Sequence, residues 1–448
     1  MSDSRRPPLV LIPQHCGSLV FDRRTSRYMP FDKETTSLFA QLQRQSFANF
    51  FATTTADDQS RWADFYDYFY QRGFFTVDGR FAGKILDVSP PSDHLTGPLA
   101  VHLEIVGACN LTCSHCFAGE LPRNENPLTL VEMDRLFAEF AAMGSFRLGL
   151  TGGEPLLRRD LFEIIDCATA HGLHPCLTTN GLLIDEEIAR EFGRRDLVWL
   201  NVSLDGATAR SNDLIRGEGT YDRVLDKLKL LAQHARFTLA FTIMSTNADE
   251  VEQCAQLAKE VGAHTAVFRP LYPVGIAQNN LELMPTFGQY SQALVQLESS
   301  LTADGDLHAI DLFSPQARQA TQAKIYTNNG CGAGNLIASI SVQGEVNPCS
   351  FLGSGYNAAN IRDRSFAEIW HHSQGFQQMR GLSSDSECNS CEDQFQGGCR
   401  ARSKAFGADI NRPDPWHAEY LTENGQRLHP LGNVELSATQ QTEVAADV

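Results

Sequence analysis

The chain has 448 residues, a formal net charge of −17, and 42 % hydrophobic and 20 % charged residues, a composition ordinary for a globular protein of two or three domains. The negative charge argues against a nucleic-acid backbone as partner but permits a basic peptide or a small molecule. No apolar run reaches the roughly 18 to 20 residues that span a bilayer, and residues 1–6 lack the apolar core of a signal peptide, so we expect a cytoplasmic protein with no membrane partner.

Residues 7–86 are predicted to form a unit of their own. Short paired strands, helical periodicity and a final hairpin are indicated, in this order, at residues 9–12, 18–28, 33–51, 60–71 and 74–81. This order is typical of a small winged helix-turn-helix. A DNA-binding module should carry a basic recognition helix, whereas the second predicted helix contains Asp64 and Asp67. A lid over another domain is a further alternative.

Residues 87–97 form a predicted linker, and residues 98–280 then alternate strands with helices. Strands are expected at six places, with a helix in each gap: residues 101–106, 146–151, 174–179, 198–204, 237–244 and 265–270. Six β/α repeats predict a parallel sheet, because each helix supplies the crossover that parallel strands require. The sequence therefore indicates an α/β domain with fewer repeats than the eight of a closed barrel.

A dense group of cysteines follows the first of these strands, in the run Cys109-Asn-Leu-Thr-Cys113-Ser-His-Cys116. Cysteines so close together cannot join distant parts of a fold, but they can converge on one inorganic centre. A tetrahedral zinc site and a fully ligated iron-sulfur cube each take four protein ligands, so three thiolates would leave one iron open. Buried core thiols are the alternative, which the polar residues between the cysteines disfavour. The loop follows the carboxyl end of a predicted strand, which is where the active sites of α/β barrels lie.

This cysteine spacing resembles the signature of the radical S-adenosylmethionine (SAM) superfamily, in which the amino and carboxylate groups of SAM chelate the open iron. The resemblance implies a [4Fe-4S] cluster on Cys109, Cys113 and Cys116 and an open, partial (β/α)6 barrel over residues 98–280. It also implies that the reduced cluster cleaves SAM to methionine and a 5'-deoxyadenosyl radical, which abstracts hydrogen from carbon. An external one-electron reductant of the flavodoxin or ferredoxin type would then be a partner.

Further candidate SAM-binding residues follow later strands of this barrel. Gly152, Gly153 and Glu154 belong to a Thr-Gly-Gly-Glu-Pro run whose glycines let the backbone approach a ligand. By the resemblance this segment contacts the methionine ammonium of SAM, although such a run alone is a common turn. Asn180 ends the third strand, and Ser203 and Asp205 end the fourth. Short polar groups at these ends can hydrogen-bond the ribose or the carboxylate of SAM, and we take Ser203 and Asp205 as the ribose candidates.

Arg216 and His115 complete the predicted SAM site. Arg216 resembles the arginine that pairs with the carboxylate of SAM, a task suited to a planar guanidinium, and a solvated surface charge is the alternative. His115 stands between the second and third cysteines, at the position that the family places by the adenine. No residue stands out as a catalytic acid or base. The cysteines outside any motif are predicted to be packing residues: Cys16, Cys167, Cys176 and Cys254.

A second set of cysteines lies in residues 327–420, after a connecting helical segment at residues 281–326. Its members resemble the SPASM extension, which carries auxiliary iron-sulfur clusters: Cys331, Cys349, Cys388, Cys391 and Cys399. Because the full SPASM pattern has more cysteines, at least one auxiliary cluster is expected, on Cys331, Cys349 and Cys399. Cys388 and Cys391 would need donors of another kind, for which Asp393, Asp414 and His417 are conceivable. A four-thiolate zinc site is the alternative, and residues 421–448 are a predicted polar tail.

The N-terminal unit, placed ahead of a radical enzyme, resembles the recognition elements of ribosomal peptide maturation systems, which bind a leader peptide as an extra strand. The sequence thus predicts a radical SAM enzyme that modifies a ribosomally synthesised precursor peptide by crosslinking, epimerisation or backbone rearrangement. Maturation of a haem-like tetrapyrrole or another small cofactor is the alternative. A sulfatase-maturing role is weaker, because Ser350 replaces the aspartate of those relatives. A non-catalytic zinc-binding interaction protein is the alternative from another class.

Overall fold

The computed structural model describes residues 6–118, 126–301, 331–381, 399–406, 410–411 and 414–416. Its strands and helices fall into three groups that follow one another along the chain. None of the helices in these ranges is long and apolar enough to cross a membrane.

The first group surrounds a four-stranded sheet. Its elements are β1 (Leu9–Gln14), β2 (Gly17–Asp22), β3 (Arg27–Asp32), α1 (Lys33–Leu42), α2 (Phe47–Phe51), α3 (Ala56–Gln71) and β4 (Lys84–Ile85). The strand order is β3-β2-β1-β4, with β4 parallel to β1 and the other pairs antiparallel. The helical stretch predicted at residues 33–51 is two helices, because Ser46 caps a new helix by accepting the N–H of Asn49. An antiparallel bridge between Phe75 and Phe81 confirms the predicted hairpin.

The first sheet is buried on both faces. Side chains on one face pack against the helices of the same group: Leu9, Leu11 and Val20. The side chains that alternate with them join the core of the second group: Val10, Ile12, Leu19 and Phe21. Successive side chains of a strand point to opposite faces, so strands with apolar side chains on both faces must be covered twice. The N-terminal unit therefore shares its core with the rest of the molecule.

Six parallel strands form the second group, as predicted. They are β5 (Ala100–Val106), β6 (Arg147–Gly152), β7 (His174–Thr179), β8 (Trp199–Ser203), β9 (Thr238–Ile243) and β10 (Thr265–Pro270). The helices between them are α4 (Leu130–Met143), α5 (Leu161–Ala170), α6 (Glu186–Gly193), α7 (Ala209–Arg216), α8 (Thr220–Leu231) and α9 (Val251–Glu260). The strands pair in chain order, and β10 is the last strand of the described sheet at that side. The loops after their carboxyl ends meet along one edge.

The third group extends the same sheet. Its elements are α10 (Phe287–Leu301), β11 (Ile337–Ile340), β12 (Glu345–Asn347), β13 (Ala359–Asn360), α11 (Phe366–His372), α12 (Gln374–Gly381) and α13 (Arg400–Ala405). β11 pairs in parallel with β5, and β12 and β13 follow antiparallel, which gives nine strands in the described sheet. Trp370 on α11 is fully buried and donates its indole N–H to the Leu95 carbonyl at 2.8 Å. Leu95, in the predicted linker, is thus part of the core.

Candidate active site

The cysteine loop, which contains all three predicted cluster ligands, follows the carboxyl end of β5. Its backbone is held from two sides. The Ser114 N–H donates to the Ile215 carbonyl at 3.0 Å, and the Cys116 carbonyl accepts the Ile276 N–H at 2.8 Å. Asn280 donates its side-chain amide to the Ser114 carbonyl at 2.9 Å. The end of α7 and the segment after β10 therefore fix the conformation of the loop.

The three thiols of the loop suit a metal centre. Cys109, Cys113 and Cys116 are all half-buried. Burial raises the pKa of Cys113 to about 11 and also raises the pKa of Cys116, and the neighbouring Cys109 adds to both shifts. The Cys109 sulfur accepts the N–H of Leu111 at 3.4 Å. A coordinating metal ionises such thiols outright, because it takes the place of the proton.

The donor set of the loop fits a multi-iron cluster. Three thiolates are one ligand short of a structural zinc site, whereas a [4Fe-4S] cube can be held by three thiolates and leave one iron open to another ligand. Two buried polar atoms beside the cysteines have no protein partner, His115 Nδ1 and Ser114 Oγ. The loop therefore keeps polar groups available to a bound ligand.

Gly152, the last residue of β6, and Gly153 bring the next loop against the cysteine loop. The Gly153 N–H donates to the Val106 carbonyl at 2.7 Å, and the Glu154 N–H donates to the Ala108 carbonyl at 2.8 Å. A Cβ atom on Gly153 would overlap the Ala108 carbonyl, and one on Gly152 would overlap that of Val106. Gly152 also has a φ of 131°. The sequence analysis explained these glycines by the room that they leave for a ligand. That explanation is incomplete, because the glycines are also needed for the close packing of the two loop backbones.

The Glu154 side chain ties two strand ends together. It is buried, and its carboxylate accepts the N–H of Leu156 at 3.0 Å, the hydroxyl of Thr179 at 2.6 Å and the N–H of Asn180 at 2.8 Å. Burial raises its pKa, and these donors oppose the shift. Asn180 in turn donates its side-chain amide to Asn110 Oδ1 at 2.7 Å. Glu154 and Asn180 therefore orient the loop that carries the cysteines.

Asp205 joins His115 and Arg216 in one buried group. Its Oδ2 lies 3.0 Å from His115 Nε2 and 2.6 Å from Arg216 Nη2, and its Oδ1 accepts the Thr242 N–H at 2.8 Å. Burial alone would raise the pKa of Asp205, but Arg216 and His115 outweigh burial and hold it well below its usual range. Arg216 is only 8 % exposed, so the surface-charge interpretation was wrong. Ser203 lies half-buried at the end of β8.

Sequence reasoning missed two ionisable groups on the inner face of β5. Val101, Leu103 and Ile105 belong to the main core, so the alternating His102 and Glu104 point to the opposite face. Burial raises the pKa of Glu104 to about 7. Burial, with a smaller contribution from the nearby Arg269, lowers the pKa of His102 to about 4. A charged residue inside an otherwise apolar strand was the available signal.

A second missed feature is the segment after β10. Gly275 has a φ of 62°, and a Cβ there would overlap the Phe117 carbonyl. Its neighbours Ile276 and Asn280 make the loop contacts described above. The glycine and asparagine after a strand were a signal in the sequence, but only the fold shows that this strand end lies beside the cysteines.

The second set of cysteines converges as far as the structure describes it. Cys331, Cys349 and Cys399 lie in one apolar cluster. Burial raises the pKa of Cys399 to about 11 and raises that of Cys349 further. Phe351 stacks on Tyr272 with ring centroids 4.3 Å apart. Phe351 also meets Phe117, the residue after Cys116, edge-on at 5.5 Å. Aromatic rings therefore link the two cysteine sets.

Of the remaining candidate ligands of the auxiliary clusters, the structure describes Asp414. Asp414 is fully buried and paired with Arg402 at 2.7 Å, and it accepts the N–H groups of Cys399 at 2.8 Å and Trp416 at 3.0 Å. Both of its oxygens are therefore occupied, which argues against a role as a cluster ligand. The others lie outside the described residues: Cys388, Cys391, Asp393 and His417.

Comparison with known proteins gives matches along most of the chain. The Radical SAM superfamily model matches residues 103–260, and the SPASM iron-sulfur cluster-binding domain model matches residues 331–392. The chain is 32 % identical to the mycofactocin maturase MftC of Mycolicibacterium smegmatis, over 76 % of this chain and 88 % of that protein. It is also 32 % identical to the AdoMet-dependent heme synthase of Methanosarcina barkeri, over 71 % of this chain and 96 % of that protein.

Among solved structures, the chain superposes on Streptococcus suis SuiB bound to its precursor peptide SuiA, with a TM-score of 0.68. The superposition covers 92 % of this chain and 98 % of SuiB at 14 % sequence identity. At that identity the likeness concerns the fold.

Proposed function

Because the chain belongs to the radical SAM superfamily and carries a SPASM iron-sulfur extension, we infer that it modifies a ribosomally synthesised precursor peptide by radical hydrogen abstraction. Its cofactors are SAM, a [4Fe-4S] cluster and at least one auxiliary iron-sulfur cluster in the extension. One observation carries the proposal at the level of residues. Three thiols lie in a loop at the carboxyl edge of the sheet, and the end of α7 and the segment after β10 hold this loop in place.

Several residues of the chain would hold these cofactors. Cys109, Cys113 and Cys116 would bind three irons of the cluster, which with SAM supplies a 5'-deoxyadenosyl radical when both are bound. The backbone of Gly152, Gly153 and Glu154 would meet the methionine ammonium, and Asn180 and Ser203 would meet the ribose or the carboxylate. His115 would lie along the adenine. Asp205 would orient His115 and Arg216, since its oxygens are already taken.

The N-terminal unit would act as a winged-helix recognition element for the leader of the peptide. β3 forms the outer edge of the described sheet, and an extended peptide can add its backbone hydrogen bonds to such an edge. Pro30 in the middle of β3 agrees with an edge position, because proline cannot donate to a sheet. The two-faced packing of this sheet would keep the edge fixed relative to the barrel.

The auxiliary cluster would use Cys331, Cys349 and Cys399. A radical on a peptide carbon must lose one electron when a crosslink forms with net loss of hydrogen. Two observations support an auxiliary site near the first cysteine loop: the apolar cluster around these thiols includes Phe117, and Phe351 packs against Phe117. We propose that this cluster accepts the surplus electron, while a flavodoxin or ferredoxin supplies the electron that starts the reaction.

Maturation of a haem-like tetrapyrrole is the second candidate, because a haem synthase is as identical to this chain as the maturase is. The two candidates make different demands on the N-terminal unit. A peptide substrate needs the edge of β3, whereas a tetrapyrrole does not. Dependence of turnover on a peptide therefore separates the two candidates.

Anaerobic reconstitution tests the proposal. The purified protein is loaded with iron and sulfide, reduced and given SAM, and 5'-deoxyadenosine is quantified with and without a short peptide encoded beside the gene. We expect 5'-deoxyadenosine and a peptide mass two hydrogens lower for a crosslink, or deuterium uptake without mass loss for epimerisation.

The matched variants are a triple alanine replacement of Cys109, Cys113 and Cys116, and a Cys254→Ala control. The triple variant should lose iron and 5'-deoxyadenosine, whereas Cys254 lies in the core on α9 and its variant should retain both. Unchanged turnover in the triple variant, or bound zinc with no SAM cleavage in the native chain, would refute the proposal.

A further inference from the structure

A cavity of about 920 Å³ lies between the first sheet and the amino ends of the barrel strands. Its walls include the first residues of successive strands, Arg147 of β6, His174 of β7 and Trp199 of β8, and the turn between β2 and β3. The cysteine loop lies at the opposite edge of the sheet, where the carboxyl ends of the strands are. The cavity is therefore separate from the site described above.

Arginine is the most frequent charged residue in the lining of this cavity. The arginines are Arg6, Arg23, Arg24, Arg27, Arg147, Arg195 and Arg236, and a lining carboxylate is Asp196. Arg24 is paired with Asp22 at 2.7 Å, and Arg195 is paired with both Asp166 at 2.7 Å and Glu191 at 2.6 Å. A cationic cavity in a chain of net charge −17 needs an explanation. Like charges brought together in partial burial repel one another unless an anion joins them.

Two arginines of the cavity have no carboxylate partner among the described residues. Arg147 donates its Nε to the Ser26 carbonyl at 2.6 Å, and burial lowers its pKa. Arg236 is exposed and contacts His264 Nε2. A guanidinium without a carboxylate beside it can accept one in a two-pronged contact, and a carboxylate is its preferred partner.

The cavity continues one end of the proposed leader site. Arg27 is the first residue of β3, the edge strand, and it lines the cavity. A peptide strand that pairs along β3 and runs past Arg27 would therefore enter the cavity. The volume is at the upper end of the range of small-molecule pockets, which leaves room for several side chains.

We propose that this cavity binds an acidic segment of the precursor peptide, next to the part that pairs with β3. The inference rests on the proposed function, and it specifies the chemistry of the substrate: glutamate or aspartate side chains paired with Arg147 and Arg236. Carboxylates bind guanidinium groups in two-pronged contacts, so this site adds affinity and fixes the register of the leader.

Binding of fluorescein-labelled hexaglutamate to the reconstituted full chain tests the inference by fluorescence anisotropy. Hexaglutamate should bind, hexalysine should not, and added salt should weaken the binding. Arg147→Gln and Arg236→Gln should each raise the dissociation constant about tenfold. The matched control is Arg364→Gln, which removes an exposed arginine paired with Glu368 elsewhere on the surface and should leave the binding unchanged. Arg236 is exposed, so its variant carries the test if Arg147→Gln does not fold.

Three outcomes would overturn the inference: equal binding of hexaglutamate and hexalysine, equal binding by the cavity variants and the control, or full displacement of hexaglutamate by equimolar inorganic phosphate. The last result would mean a small-anion site. The mass change of the peptide encoded beside the gene, after incubation with the native enzyme and SAM, tests the proposed function separately, so failure of one can be told from failure of the other.

Discussion

Asp205 contacts both His115 and Arg216 at the point where the sequence suggested a ribose contact. The motif marked a polar residue at a strand end, which lies beside the cysteine loop in the fold. It did not reveal the partners of Asp205, since His115 and Arg216 are distant in the sequence and meet it only in the folded sheet. The structure thus changes the role expected for Asp205 from ligand contact to support of the residues around the ligand.

Asp205→Asn should therefore destabilise the protein. The change leaves Arg216 buried without its carboxylate, which costs about 3 kcal/mol in the free energy of unfolding. Urea unfolding of the native chain and the variant measures the difference. Glu368→Gln is the control, because it breaks an exposed pair with Arg364 and should cost less than about 1 kcal/mol. Equal losses in the two variants would contradict the buried ion pair.

Glu104 should make stability depend on pH. The folded chain holds its proton more tightly than the unfolded chain, because burial raises its pKa to about 7. This contribution to stability is complete at acidic pH and is lost as the pH rises from the unfolded value toward 7. Glu104→Gln removes that loss, so its stability relative to the native chain should increase by about 2 kcal/mol between pH 5 and pH 8. Urea unfolding across this range measures it, and exposed Glu163→Gln should show no such trend.

At the scale of elements, the strands of the barrel were predictable and the loop contacts were not. Apolar alternation and regular spacing placed β5 to β10 within a residue or two. The sequence identified Gly153 as a loop glycine. It did not predict that Gly153 contacts Ala108, because that contact depends on the register of β5 against β6. The break in the helix at Ser46 was missed because the apolar spacing continues across it.

Gly153→Ala should displace the cysteine loop. Its Cβ would overlap the Ala108 carbonyl, which is rigid backbone that can yield only by moving the loop. We expect less than about half of the native iron per chain after reconstitution, because a small displacement of a supporting shell loosens a metal site. Gly288→Ala is the control, since no atom lies closer than 3.9 Å to its added Cβ. Native iron content in Gly153→Ala would contradict this packing argument.

At the scale of the whole molecule, the three predicted units share one core. Composition and element order predicted a separate N-terminal unit, but the buried second face of its sheet could not be seen without the barrel that covers it. Val10 and Ile12 alternate with apolar residues on the other face, so the pattern alone resembles any buried strand. Deletion of residues 1–86 would consequently expose apolar core and is a poor test of leader binding.

Phe21→Ala should test this shared core. Phe21 is fully buried and stacks on Phe146 at 4.8 Å, at the junction of the first sheet and the barrel. The cavity should cost about 3 to 5 kcal/mol in the free energy of unfolding. Both groups should unfold in one transition at lower urea, followed by circular dichroism. Val77→Ala, at a residue 95 % exposed, should shift the midpoint little. Separate transitions in the native chain would argue against a common core.

The pairing of β11 with β5 has an evolutionary consequence. The strand that leads into Cys109 is the direct neighbour of a strand from the extension, and Cys349 follows β12 on the other side of that strand. Both cysteine sets therefore follow strands of the same sheet, and the backbone hydrogen bonds of that sheet fix the distance between them. Exchange of the extension between relatives would have to keep this strand pairing, because the pairing sets the distance between the two cysteine sets.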